Sequence, residues 1–262
     1  MKLNDEQLQQ FEDDGFVIIP ELFSAEEVAV LKGEIPGVFD QRRDENFREK
    51  DGDTVRTAFA THTYNDVYAN FVRHPRILEP AEQMLSGQVY VHQFKLNAKA
   101  AFNGDVWQWH QDYGTWRRDD DMPEPNAMNL AVYLDEVNEF NGPLYLIPKS
   151  HKRGVLEAGH DTSTTSYPLW TLDEDLITDM VDEGGIVAPK GPAGTGFFFH
   201  GCLVHASPPN ISPWHRLIVY ISYNNVENHI RQFKRPEWIA HRDFTPLEAK
   251  SDDCLLNIAA AE

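Results

Sequence analysis

Gly196-Phe-Phe-Phe-His200-Gly-Cys-Leu-Val-His205, followed by Arg216-Leu-Ile-Val-Tyr-Ile-Ser-Tyr223, decides the fold. Each apolar run is too short for a stable helix, and each is bounded by glycine, proline or serine, so each reads as a buried strand. Working back along the chain, the runs 143–148, 127–134 and 88–96 have the same character. Asn141-Gly142-Pro143 and Pro189-Lys-Gly-Pro-Ala-Gly194 are turn sequences between them.

Before residue 87 the pattern is helical. Asn4 with Gln7 and Ser24 with Glu27 form capping boxes, the first ahead of Leu8 and Phe11, the second ahead of Val28, Leu31 and Ile35. Gly15 reads as the stop of the first helix and Pro36-Gly37 as the end of the second. Phe16-Val-Ile-Ile19 is a strand between them, and 75–86 is a further helix. The segment 40–56 is polar and reads as an exposed loop or mobile cover. Another helix over 172–181 carries Thr171 and Glu174 as its capping box. The expected class is α+β with a predominantly β core, a jelly roll preceded by N-terminal helices. No repeat or linker divides the chain, so one domain over 1–262 is expected, its β-rich core near 88–224.

The 262 residues hold 42 Asp plus Glu against 23 Lys plus Arg, a formal charge of −19. That field repels nucleic acid and anionic membranes, so neither is an expected partner. There are 2 cysteines, too few for a disulfide framework. No apolar leader or spanning stretch is visible, and a cytoplasmic protein is expected.

Trp109-His110-Gln111-Asp112 contains His-x-Asp. On a strand such residues share a face, and at a strand end both can reach one ion. A third ligand must come from elsewhere in the fold. His205 lies 93 residues beyond Asp112 and His200 is its rival; Arg216 favours His205, but chain spacing alone does not separate them. Two histidines and a carboxylate suit a non-haem iron(II) oxygenase with open positions for oxygen and an organic acid. An arginine opening an inward strand suits a carboxylate. Trp109 is expected to wall the site. Gln93 offers both a donor and an acceptor to a polar substrate.

The chain resembles the phytanoyl-CoA dioxygenase superfamily and, within it, the ectoine hydroxylases. The resemblance rests on VHQFKLN at 91–97, WQWHQDYGTWRRDDDMP at 107–123, NGPLYLIPKSH at 141–151, and GTGFFFHGCLVHASPPNISPWHR at 194–216. FEDDGFVIIPELFSAEEV at 11–28, YNNVEN at 223–228 and RDFTPLE at 242–248 extend it.

It implies a double-stranded β-helix with iron(II) held by His110, Asp112 and His205. It implies Arg216 on the distal carboxylate of 2-oxoglutarate, with Asn97, Thr115 and Asn210 around that cosubstrate. Gln93 and Trp116 fall at substrate-pocket positions. The implied activity is dioxygenase chemistry: hydroxylation of an aliphatic carbon of a small polar or zwitterionic metabolite using O2 and 2-oxoglutarate, with ectoine to 5-hydroxyectoine as one candidate. A homodimer is compatible with the resemblance. Phe94, Lys95, Gln111 and Gly114 depart from the ectoine pattern. They motivate an alternative, a hydroxylase of a free amino acid or natural-product precursor. A noncatalytic cupin-like binding protein is the rival outside catalysis.

Overall fold

In the computed structural model residues 1–259 are described. The chain opens with α1 (Asp5–Asp14), β1 (Phe16–Ile19), α2 (Ala25–Gly33), α3 (Ile35–Phe39), β2 (Asn46–Arg48), β3 (Val55–Phe59), α4 (Asp66–Phe71) and α5 (Pro75–Met84). The middle holds β4 (Val89–Lys99), β5 (Trp107–His110), α6 (Asp112–Asp119), β6 (Ala127–Tyr133), β7 (Tyr145–Leu146), β8 (Gly159–Asp161) and β9 (Leu169–Thr171). It ends with α7 (Glu174–Gly184), β10 (Gly196–His200), β11 (His205–Ser207), β12 (Arg216–Asn225) and α8 (Cys254–Ala259). Every named strand pair is antiparallel.

A seven-stranded sheet runs β1-β10-β6-β12-β4-β3-β2, and a three-stranded sheet runs β5-β11-β7. Together they form the double-stranded β-helix. The large sheet is covered on both faces, which explains why β12 is buried throughout. Along it, Leu217, Val219, Ile221 and Tyr223 pack into the core that also takes Leu31, Tyr68, Phe71 and Leu78 from the helices. Ile218 and Tyr220 join a second core with Phe197, Phe199 and Leu146 inside the barrel. Burying four such side chains on the helix side contributes about 1.5–3 kcal/mol each.

A register shift makes β4 useful. Ser222 pairs with Gln93 but Tyr223 pairs with Val91, so His92 is the extra residue of a bulge. The bulge flips the alternation. Val89 and Val91 face the helices before it, Phe94 and Leu96 after it. Gln93, Lys95 and Asn97 then all face the barrel interior.

Both N-terminal capping boxes form as read, and Gly15 ends α1 at φ 84°. Four local readings need correction. The segment 40–56 carries β2 and leads into the buried β3, which extend the large sheet at its edge. One of its charge pairs is internal: Arg56 pairs with Glu49 at 3.1 Å, both buried, with the guanidinium over the Trp107 ring. Pro36 does not end α2; it sits in the first turn of α3, where its missing N–H costs nothing. The cap of α7 is Asp173, accepting from Asp175 N, rather than Thr171. Asp112 is not on a strand: Gln111 is the last extended residue and Asp112 opens α6. No described helix is long and apolar enough to cross a membrane.

Candidate metal centre and its cavity

His110 closes β5 and His205 opens β11, and the two are register partners. Their rings lie 4.1 Å apart between centroids. Each imidazole is oriented by its own strand: Nδ1 meets the Gln108 carbonyl at 2.6 Å in His110 and the Leu203 carbonyl at 2.9 Å in His205. A carbonyl accepts only, so both Nδ1 atoms carry the proton and both Nε2 lone pairs are free. They face one carboxylate. Asp112 Oδ1 is 3.7 Å from His110 Nε2, and Asp112 Oδ2 is 3.6 Å from His205 Nε2. One donor atom from each residue lies within 4.8 Å of the others.

The protonation states match a ligand set. Burial, then the neighbouring His205, pushes the His110 pKa down to about 3, and burial lowers that of His205. Burial works against the charge on Asp112, yet its pKa is held below the usual carboxylate range by Lys95, the two histidines and the Asn129 hydrogen bond. With both imidazoles neutral, Lys95 and Asn129 carry that effect. Two lone-pair nitrogens and one carboxylate are what an iron(II) ion takes from a protein.

His200, the rival third ligand, lies elsewhere. Its Nδ1 accepts from Cys202 N at 3.0 Å, and its ring packs near Phe11 and His151.

The triad lines a cavity with about 700 Å³ of empty space including its mouth. At one end Arg216 is 1% exposed. Its Nη2 donates to Asn97 Oδ1 at 2.6 Å, while its Nε and Nη1 have no hydrogen-bond partner among the described residues. Buried unpaired guanidinium N–H groups are costly unless an anion meets them. A carboxylate of 2-oxoglutarate fits that need, bounded by Ser207, Leu144 and Tyr220. Thr115 lines the same cavity with a buried, unpartnered hydroxyl.

At the other end stand Gln93, Lys95, Trp116, Tyr167 and Arg235. Gln93 Nε2 donates to the Ile239 carbonyl at 2.9 Å, which leaves its Oε1 to accept. Lys95 makes no ion pair with a described residue, and its ammonium lies 5.5 Å from the Tyr220 ring centroid. Arg235 makes a two-point contact with Asp120 at the end of α6.

Two sequence-predicted residues are not brought to this cavity. Trp109 packs beside Ile147, Ile177, Met180 and Val204 outside it. Strand alternation explains this, since Trp109 neighbours the inward His110; the bulge, where His205 pairs with His110 but Ser207 with Trp107, then turns Trp107 inward in place of Gln108. Asn210 is a loop staple, donating to the Lys99 and Trp214 carbonyls and accepting from Ser212. Asn97 lines the cavity, but its amide is spent on Arg216 and Thr57. Sequence reasoning missed Trp107, Asn129, Ser207 and Arg235 as site residues and named Lys95 only as a departure from the ectoine pattern. Lys95 was legible as the alternate of Gln93 and Asn97; Arg235 lies in irregular chain and gives no periodic signal.

The comparisons agree with this geometry. The chain is 36% identical to an ectoine dioxygenase of Bordetella parapertussis over 257 residues, covering 92% of this chain and 83% of that protein. It is 34% identical to the L-proline trans-4-hydroxylase of Streptomyces griseoviridis over 244 residues, covering 89% and 91%. The crystal structure of EctD from S. alaskensis with 2-oxoglutarate and 5-hydroxyectoine superposes with a TM-score of 0.85 at 30% identity, covering 95% of this chain and 87% of that one. The EctD structure with bound Fe gives 0.84 at 31% identity. The chain is an iron(II)- and 2-oxoglutarate-dependent dioxygenase that uses O2 to hydroxylate a small polar metabolite. The family model described as phytanoyl-CoA dioxygenase (PhyH) matches residues 11–218, and with the converged His-Asp-His set behind it, the chain belongs to that family.

Proposed function

We propose that the chain works as one catalytic unit that hydroxylates an aliphatic carbon of a small zwitterion bearing a carboxylate, with ectoine and L-proline as the first substrates to test. The carrying observation is Lys95, which lines the cavity with no ion-pair partner among the described residues and whose charge burial opposes and Asp112 supports, in the same cavity as Arg216, whose Nε and Nη1 are free among the described residues. Two separated cationic positions suit two anions. Arg216 takes the distal carboxylate of 2-oxoglutarate, and Lys95 takes the substrate's carboxylate. The relatives named for ectoine and L-proline act on molecules of that kind.

His110, Asp112 and His205 hold the iron. Bound iron(II) and 2-oxoglutarate supply the oxidising power that converts a C–H and O2 to C–OH, with succinate and carbon dioxide as co-products. The remaining work belongs to the chain. Asn97 aims the Arg216 fork, and Thr115 offers its unpartnered hydroxyl beside the triad. Gln93, its donor end fixed on Ile239, presents Oε1 to a substrate N–H. Trp116, braced against His92, closes the wall opposite. Phe59, Trp107 and Tyr167 line the cavity and limit water at the reacting carbon.

Incubation with iron(II), 2-oxoglutarate, oxygen and a panel of zwitterions, scored by succinate and by a 16 Da mass gain, tests this. Expected is coupled turnover with a carboxylated zwitterion, lost in His110→Ala and Asp112→Ala. Equal turnover of decarboxylated analogues would remove Lys95 from the reading. Turnover that survives both ligand variants would remove the metal centre from it.

A further inference from the structure

We propose that Asn129, held in place by Ser222, is a positioning residue for the metal ligand Asp112. The proposal rests on the reading of Asp112 as a ligand. Asn129 lies in the middle of β6, fully buried, with Ser222 of β12 as one cross-strand partner and Phe199 of β10 as the other. Its Nδ2 donates to Asp112 Oδ2 at 2.8 Å. Ser222 Oγ donates to Asn129 Oδ1 at 2.6 Å.

The direction of this chain is dictated by chemistry. Asp112 is ionised and can only accept, so the amide must turn its NH2 toward it. The amide oxygen then needs a donor at its other end, and Ser222 is the hydroxyl within reach. A flipped amide would set two oxygens against each other in a dry interior and leave the hydroxyl and the NH2 without their partners. Serine, asparagine and aspartate therefore lock one another in a single sense.

That lock acts on a side chain that little else restrains. Asp112 sits at the first position of α6. His110 and His205 present lone pairs to it and cannot donate. The Asn129 bond is the one hydrogen bond to the Asp112 side chain among the described residues. It fixes one carboxylate oxygen and with it the orientation of the carboxylate that would meet the metal. A neutral amide does this without neutralising the ligand, as an arginine would.

Anaerobic iron(II) titration, followed by calorimetry on the folded protein, tests it. Asn129→Ala is expected to weaken iron(II) binding about 10–100-fold, and Ser222→Ala to weaken it less in the same direction. The double variant Asn129→Leu/Ser222→Ala replaces both polar partners with apolar groups and does not orphan the Ser222 hydroxyl, so it keeps the fold if Asn129→Ala does not. It should bind iron(II) as weakly as Asn129→Ala. Asp112→Ala must abolish tight binding. If it does and the folded Asn129 variants bind as wild type, the proposal is overturned alone. If Asp112→Ala itself binds as wild type, the ligand reading falls and takes the proposal with it.

Discussion

Arg216 shows how one residue can depend on its neighbour's geometry as much as on its own charge. Its Nη2 bond to Asn97 fixes the guanidinium plane, and Nη1, with the second N–H of Nη2, forms an end-on edge that a carboxylate can meet at two points. Lysine keeps the charge but not the fork. Arg216→Lys is therefore expected to raise the KM for 2-oxoglutarate about tenfold or more while leaving the KM for the hydroxylated substrate within about twofold. Steady-state assays varying each in turn check the split. A rise in both, or in the substrate KM alone, would place Arg216 at the other end of the cavity. The arginine was legible in the sequence because it opens an apolar strand. Its partner Asn97 was legible only as a family position, and its role in aiming the guanidinium required the cross-strand geometry.

Elements carry the same lesson unevenly. The turn before β10 was readable from Pro189-Lys-Gly-Pro-Ala-Gly194, and its last residue shows why glycine stands there. Gly194 has φ +91°, and a Cβ would run into the Phe23 carbonyl oxygen. Gly194 N donates to Tyr133 O and Gly194 O accepts from Phe23 N, so the backbone has little room to shift. Gly194→Ala should cost about 2–4 kcal/mol in urea unfolding, from strain plus steric displacement. A loss under about 0.5 kcal/mol would mean that the turn relaxes freely. The capping boxes of α1 and α2 were equally readable, because local hydrogen bonds need only local sequence. The β2–β3 extension was not. Its charged residues look solvated until Arg56 and Glu49 are seen to pair against Trp107 inside the fold. The two bulges were also invisible. One aims Gln93, Lys95 and Asn97 inward, and the other puts Trp107 rather than Gln108 at the cavity wall. Register is set between strands that lie far apart in the chain, and no spacing within either strand reveals it.

At the scale of the molecule, buried histidines oppose acid. The irregular segment after β12 crosses back over the barrel and is anchored by Gln93 to Ile239, by His241 N to the His92 carbonyl, and by Arg235 to Asp120. His241 packs edge-on against His62 at 4.7 Å, and its Nε2 has no hydrogen-bond partner among the described residues. Burial, then the nearby His92, pushes its pKa down to about 4, with Asp243 opposing. A folded pKa below the unfolded value of about 6.5 means that the unfolded chain binds the proton more readily. Stability from this group is therefore complete above about pH 6.5 and is lost as the pH falls toward 4. At 1.36 kcal/mol per unit the loss approaches about 3 kcal/mol. His200, also held near 4 by burial and His151, adds a loss of the same sign. The formal charge of −19 acts the other way over the same range, since protonating surface carboxylates relieves self-repulsion. Salt separates the two effects, because it screens surface charge and leaves a buried imidazole untouched. Urea unfolding between pH 7 and 4 at low and high salt should show an acid loss that deepens or persists in salt. In His241→Phe the loss should be smaller by about 2–3 kcal/mol. If the variant follows the wild-type curve, the acid sensitivity belongs to other groups, and His241 anchors this segment only by packing and its backbone bond.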